Sequence, residues 1–430
     1  MSTLNSTLRI MTAGSVDDGK STLIGRLMHD LGLITDDIMQ DLKAASKRNG
    51  RGELDLSLYT DGLAAEREQG ITIDVAYRYF RHQDRAYVLC DAPGHVQYTR
   101  NMVCAASQAD VALVMIDARS GPTEQTRRHV RVAQMLQVSK LVFIVNKLDL
   151  ISFDQSKYDA ICIELKSLAN ADIVPVCALE GDNVVHASAS YGANRITWYH
   201  GPTLIELLAI TPANSRFPVT APLRFSVQSV MRPTGKGIKS ELLHDYRAFA
   251  GRIESGTLAV GQLVQINSAS GDEIAQTTVS AIYASGNSLP MAVAGQSISI
   301  TLKEDVGVSR GDMIAAAEAQ LHSSKELIAQ WCWMHEKPAV IGQKVLIKQG
   351  TRTVQAKIIS IDSKLNLDSG LFILTPEASV VTLAANEIAR IRMQLAQPLL
   401  SDSYAQMPRT GSLIAIDPQK LDTLGAAIID

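Results

Sequence analysis

The sequence predicts an α/β domain built on a doubly wound, mainly parallel sheet, followed by two antiparallel β-barrels. Three observations carry this expectation. A glycine-rich loop joins an apolar strand to a helix at residues 14–21. Strands alternate with helical stretches up to about residue 212. Beyond a proline-rich connector, helical periodicity gives way to short alternating runs.

The first element is the apolar run Leu8–Ala13, read as a buried strand. Gly14-Ser15-Val16-Asp17-Asp18-Gly19-Lys20-Ser21 follows, and Thr22–His29 can continue as a helix. This is a full G-x-x-x-x-G-K-[ST] phosphate loop in the strand–loop–helix context that the motif needs. Successive backbone N–H groups and a helix N-terminus would surround a β-phosphate. Lys20 would reach the β/γ oxygens, and the Ser21 hydroxyl would ligate Mg²⁺. Eight residues can match by chance, but further motifs follow in the expected order.

Tyr87–Cys90 reads as the next strand with a motif at its end, Asp91-Ala92-Pro93-Gly94-His95. Asp91 would hold Mg²⁺ through water, and the Gly94 N–H would sense a γ-phosphate. His95 would orient an attacking water, the role that small GTPases give to Gln. A histidine in a loop is more often a plain surface imidazole, but its place directly after Pro-Gly favours the functional reading. Upstream, Glu66-Arg67-Glu68-Gln69-Gly70-Ile71-Thr72-Ile73 supplies Thr72 as a second, γ-phosphate-dependent Mg²⁺ ligand.

The strand-like Val142–Val145 runs into Asn146-Lys147-Leu148-Asp149. Asp149 would accept from both N1–H and the exocyclic amine of guanine, a pair that adenine lacks. Sites built on such polar contacts reject the analogue by roughly 10⁴–10⁵-fold. Asn146 would brace the loop, and the Lys147 stem would cover one face of the base. After Ile173–Val176, the Cys177-Ala178-Leu179 loop would bring the Ala178 N–H to guanine O6, with Leu179 beside it. The nucleotide is therefore expected to be GTP.

Asp17, the E-R-E-x-G-I-T-I stretch and D-x-P-G-H together resemble the translation-factor superfamily of GTPases, whose best-known member is elongation factor Tu. Where those factors usually carry His-Val-Asp-His in the phosphate loop, this chain has Ser15-Val16-Asp17-Asp18. The run from Asp61 to Phe80, Gln97–Met102, Ile116–Arg119, Gln125–His129 and Ala178–Val184 sharpen the resemblance. This set is similar to the GTPase (large) subunit of heterodimeric bacterial sulfate adenylyltransferase. The likeness continues more loosely through Trp198–Leu204 and Ser309–Asp312.

The resemblance implies an elongation-factor-Tu-like architecture and a GTPase with Asp17, Thr72 and His95 in the catalytic group; with neither a leader pattern nor a membrane-spanning run, the protein is expected to be cytoplasmic. It also implies a small partner subunit, ATP-pyrophosphatase-like, in a heterodimer or higher assembly. That partner would make adenosine 5′-phosphosulfate and pyrophosphate from ATP and sulfate, with GTP hydrolysis pulling the reaction forward. The adenylyl-transfer residues would lie on the partner. Some relatives carry a fused adenylylsulfate kinase; with no second phosphate loop and an end at Asp430, that activity is expected to be absent. Two rival readings stay open. An aminoacyl-tRNA-delivering factor is disfavoured by Ser15, Asp18 and the A-L-E-G-D-N-V stretch. A GTP-dependent scaffold would bind the small subunit without raising product yield.

Bulk properties agree. The 430 residues suggest roughly three domains. A formal net charge of −3 forecasts neither a nucleic-acid nor an anionic-membrane surface. The five cysteines, Cys90, Cys104, Cys162, Cys177 and Cys332, show no metal spacing and read as reduced core or near-core thiols. No leader pattern and no apolar run of membrane-spanning length is present. Pro212, Pro218 and Pro222 mark a connector. Expected domains are therefore 1–212 for GTP binding, 213–329 for the first barrel and 330–430 for the second. Lys43, Lys47, Arg48 and Arg51 read as a solvated segment, and the Gly/Lys-rich stretch within Arg232–Tyr246 as either a mobile loop or a partner contact.

Overall fold

Strand β4 (Val111–Asp117) is buried at every residue and sits at the centre of the first sheet. The sheet also contains β1 (Leu8–Ala13), β2 (Ala76–His82), β3 (Arg85–Asp91), β5 (Lys140–Asn146) and β6 (Asp172–Pro175), in the order β2-β3-β1-β4-β5-β6. Only β2 runs antiparallel, against β3. In the computed structural model, residues 7–48, 54–60, 76–188, 195–213, 218–232, 246–269, 271–376 and 381–430 are described. They divide into two units, Met1–Asn214 with Asn366–Leu371, and Ser215–Leu365 with Phe372–Asp430.

The two-residue period of β4 explains why the sheet is covered on both faces. Leu113 and Met115 join a core with Leu23, Ile24 and Leu27 of the helix Lys20–Asp30, and with Leu204 and Leu208 of the helix Leu204–Ile210. Val114 and Ile116 point the other way. They pack with Val130 of the helix Glu124–Met135, and with Ile161 and Leu165 of the helix Gln155–Leu168. That last helix starts upstream of the Tyr158 at which apolar periodicity begins. Asp154 caps it, accepting from the backbone N–H groups of Ser156 and Lys157. Its first turn, Gln155-Ser156-Lys157, is polar and adds no apolar signal.

Lys43, Lys47 and Arg48 are exposed on a helix, Asp36–Arg48, that buries only Leu42 and Ser46. Arg51 lies outside the described residues. So do Thr72, with the rest of its E-R-E-x-G-I-T-I stretch, and most of the Arg232–Tyr246 loop. Cys90, Cys162, Cys177 and Cys332 are buried free thiols, whereas Cys104 is exposed on the helix Thr99–Ala106 and is not a core residue.

The second unit contains two six-stranded antiparallel barrels. In the first, Leu263–Asn267 pairs with both Glu273–Ala284 and Met313–Ala316, closing the ring. In the second, Lys344–Gln349 pairs with both Arg352–Leu365 and Ser412–Ile416. Closure removes the free strand edges that invite aggregation. Phe225, Phe249 and Ile253 fill the first barrel; Trp331, Trp333 and Ile391 fill the second. The expected boundary at Gln330 falls inside a strand, His322–Trp333. That strand opens with His322-Ser323-Ser324-Lys325-Glu326, a polar and largely exposed run that carries no inward apolar signal.

Candidate nucleotide site

Gly14–Ser21 leaves the C-terminal end of β1 and enters the helix beginning at Lys20. Gly19 has φ of 91°, and a Cβ there would overlap the Asn146 amide. Asp17 also adopts a left-handed backbone, with φ of 69°. Lys20 is buried, and its Nζ donates to the carbonyls of Gly14 at 3.0 Å and Ser15 at 2.7 Å. Burial lowers its pKa against the opposing pull of Asp91, Asp18 and Asp17. The Asp18 carboxylate turns inward and accepts the Ser15 N–H at 2.5 Å. Its side chain therefore shapes the loop instead of facing a phosphate. Burial raises its pKa, against Lys20.

A cleft of about 460 Å³ opens over this loop, lined by Val16, Asp17, Gly19, Lys20, Ser21, Thr22, Gly94, His95, Arg119 and Lys147. Asp91 lies at the end of β3, fully buried, and accepts from Thr12 Oγ1 at 2.7 Å. Gly94 passes so close to Lys20 and the Gly14 carbonyl that any Cβ would clash. His95 is exposed at the cleft rim, where its Nδ1 accepts from the Gln97 N–H at 3.4 Å. Ser21 and Asp91 are hard oxygen donors of the kind that Mg²⁺ takes, so the residues present fit that ion.

The loops that the sequence assigns to base reading meet the phosphate loop, each following the end of a strand. Asn146 is buried and stitches two loops together. Its Nδ2 donates to the Asp18 carbonyl at 2.9 Å, and its Oδ1 accepts the Ala178 N–H at 3.0 Å. The donor expected to meet guanine O6 is thus already paired inside the protein. Asp149 Oδ1 accepts from the Cys177 thiol at 3.3 Å. Burial pushes that thiol up to about 12, so it is a proton donor at neutral pH. Leu179 is 61 % exposed beside the Ala178 backbone. Arg26 donates to the carbonyls of both Ala178 and Leu179, tying this loop to the first helix.

Several contributors carry no local motif. His129, fully buried, accepts the Gly14 N–H through Nδ1 at 3.1 Å and contacts Gln125 at 2.8 Å through Nε2. Ser15 Oγ lies 2.8 Å from the hydroxyl of Thr123, the cap of the same helix. Asp117 pairs with both Arg119 and Lys147. Gln125–His129 and Ile116–Arg119 stand out in the sequence only through family resemblance. Cys177, Glu180 and Asp182 also cluster, but both carboxylates are paired with Arg195.

Comparison with known proteins identifies the family. The family model described as "Elongation factor Tu GTP binding domain" matches residues 5–245, and "GTP-eEF1A C-terminal domain-like" matches residues 326–430. "Sulfate adenylyltransferase subunit 1" of Citrobacter koseri is 41% identical over 433 residues, covering 99% of this chain and 86% of that protein. The "Bifunctional enzyme CysN/CysC" of Mycobacterium tuberculosis is 40% identical over 432 residues, covering 98% of this chain and 67% of that longer protein. Among solved structures, the S. cerevisiae Ski7 GTPase-like domain, bound to GTP, has a TM-score of 0.53 at 17% identity. It covers 99% of this chain and 97% of its own, and that likeness concerns the fold alone. No helix among the described residues is long and apolar enough to cross a membrane. The chain belongs to the elongation-factor-Tu-type GTPases and, within them, to the sulfate adenylyltransferase subunit 1 family.

Proposed function

We propose that this chain binds and hydrolyses GTP to drive formation of adenosine 5′-phosphosulfate and pyrophosphate from ATP and sulfate on a small partner subunit. The observation that carries the reading is one cleft that gathers the phosphate loop, the D-x-P-G-H loop and Lys147 of the N-K-x-D stretch. Family membership supplies the sulfate-activating context.

Lys20 exchanges its two loop carbonyls for β- and γ-phosphate oxygens, and the loop N–H groups line the same oxygens. Ser21, Thr72 and Asp91 would hold Mg²⁺, which when bound neutralises charge on the transferring phosphoryl group. Gly94, which runs close to Lys20, would register a γ-phosphate through its N–H. His95 orients the attacking water from the rim, and Asp17 shapes the phosphate side of the cleft. Asp149 reads the guanine edge, Lys147 covers one face of the base, and Leu179 lies alongside. Hydrolysis is coupled to rearrangement of the two loops that carry Thr72 and His95. Adenylyl transfer takes place on the small subunit.

The test is to mix the chain with an ATP-pyrophosphatase-like small subunit, ATP and sulfate, leaving pyrophosphate in the assay. GTP should raise adenosine phosphosulfate above the level reached with GDP. Equal product with GTP and GDP would leave only a scaffold.

A further inference from the structure

Strands β4 and β5 end side by side, with Asp117 in register with Asn146. The chain then passes through Lys147, whose φ of 62° lies in the left-handed region that residues with side chains seldom occupy. The Lys147 ammonium meets Asp117 Oδ2 at 2.9 Å, and the Asp117 side chain is only 8 % exposed. On its other flank, Asp117 receives a fork from Arg119, Nε to Oδ1 at 3.0 Å and Nη2 to Oδ2 at 2.7 Å. The Arg119 backbone N–H adds a third bond to Oδ1 at 2.9 Å. Burial by itself would raise the Asp117 pKa; the Arg119 hydrogen bonds and Lys147 outweigh it and hold the carboxyl well below the usual carboxylate range. Asp117 is therefore a fixed anion at neutral pH, gripped from one side and gripping Lys147 on the other.

We infer that Asp117 is a positioning residue for base recognition, tethering the Lys147 ammonium so that its stem stands as a preformed wall of the guanine slot. The inference rests on the reading of the N-K-x-D stretch as the guanine site. An untethered lysine stem samples many rotamers, and the cost of ordering it would fall on nucleotide binding. Asp117 faces the ammonium, not the edge of the base. Its loss should therefore weaken every purine nucleotide without changing which purine is preferred. Loss of Asp149 should do the reverse.

A double-mutant cycle on the full chain tests this by titrating GTP, GDP and XTP into wild type, Asp117→Asn, Lys147→Met and the double variant. Methionine keeps an apolar stem and removes the ammonium. Each single change should weaken GTP and GDP alike, by up to about tenfold, the cost of ordering one long side chain on binding. The double variant should bind no worse than the weaker single variant, and Asp117→Asn should keep the wild-type preference for GTP over XTP. Losses that multiply in the double variant, or a shifted GTP-to-XTP ratio in Asp117→Asn, would overturn the inference. Melting temperatures identify a folding defect. Should Asp117→Asn not fold, Asp117→Glu takes its place in the same cycle, since a displaced carboxylate also misplaces the ammonium. A wild-type chain that binds neither GTP nor GDP would overturn the guanine reading and this inference with it. Wild-type binding with multiplicative losses would overturn this inference alone.

Discussion

His129 Nδ1 accepts the backbone N–H of Gly14 at 3.1 Å, so the first residue of the phosphate loop is held by a side chain 115 positions further along the chain. The imidazole must be neutral to accept. Burial, reinforced by Lys20 and Arg128, pushes its pKa down to about 3. An unfolded histidine titrates near 6.5, so between these values the unfolded chain takes up a proton that the folded chain refuses. The stabilisation is complete above about pH 6.5 and is lost as pH falls toward 3, on the order of 2 kcal/mol by pH 5. Urea unfolding of the wild type and His129→Gln at pH 7 and pH 5 should show the wild type losing more stability on acidification. Equal losses in both proteins would contradict this linkage.

In the proposed reading, phosphate binding depends on Lys20. Lys20→Ala should weaken GTP on the order of 10- to 100-fold, the worth of charge-assisted hydrogen bonds to phosphate. Ser21→Ala should reduce mainly the Mg²⁺-dependent part of the affinity. Titrations with and without Mg²⁺ separate the two effects. A near-wild-type affinity in Lys20→Ala would remove the phosphate loop from the account.

The motifs were legible because nucleotide chemistry demands contiguous residues at strand ends. Gly14–Ser21, Asp91–His95 and Asn146–Asp149 all occur at the ends of apolar runs, and the structure puts each at the C-terminal end of a parallel strand. The braces were not legible as interactions, because their partners are far apart in the sequence. Arg26 reaches Ala178 and Leu179, and His129 reaches Gly14. No spacing rule encodes such pairs. The Ala178 N–H, which the sequence assigns to guanine O6, is paired with Asn146 in this structure, because a buried N–H needs a partner; that pairing too has no sequence signal. The barrels were visible as alternation, but their boundary was not, since the polar opening of His322–Trp333 resembles a linker.

Base choice is proposed to depend on Asp149. Asp149→Asn should weaken GTP and favour XTP, because the new amide can donate to the C2 oxo group of xanthine. Competition titrations read the ratio directly. If GTP still outcompetes XTP in the variant, Asp149 does not read the base.

Within the barrel unit, Arg224 and Asp402 form a buried pair, with Nη2 to Oδ1 at 3.1 Å and Nε to Oδ2 at 3.3 Å. Thr410 Oγ1 adds a bond to Asp402 Oδ2 at 2.6 Å. Arg224 is 3 % exposed, so Asp402→Asn strands a buried cation and should cost about 3 kcal/mol of stability. Denaturant unfolding of the variant checks this. A loss smaller than about 1 kcal/mol, the scale of an exposed pair, would contradict it.

The central claim is that hydrolysis on this chain drives adenylyl transfer on another, and His95→Ala tests it most directly. His95 sits at the rim, outside the grip of Lys20, so GTP affinity should stay within a few-fold of wild type. Hydrolysis should slow by about 100-fold or more, as expected when water positioning is lost. GTP hydrolysis and adenosine phosphosulfate are measured together in the complex with the small subunit, with pyrophosphate left in the assay. The account predicts that the GTP-driven excess of product disappears while basal adenylyl transfer remains. Product rising to the wild-type level while hydrolysis is abolished would contradict it.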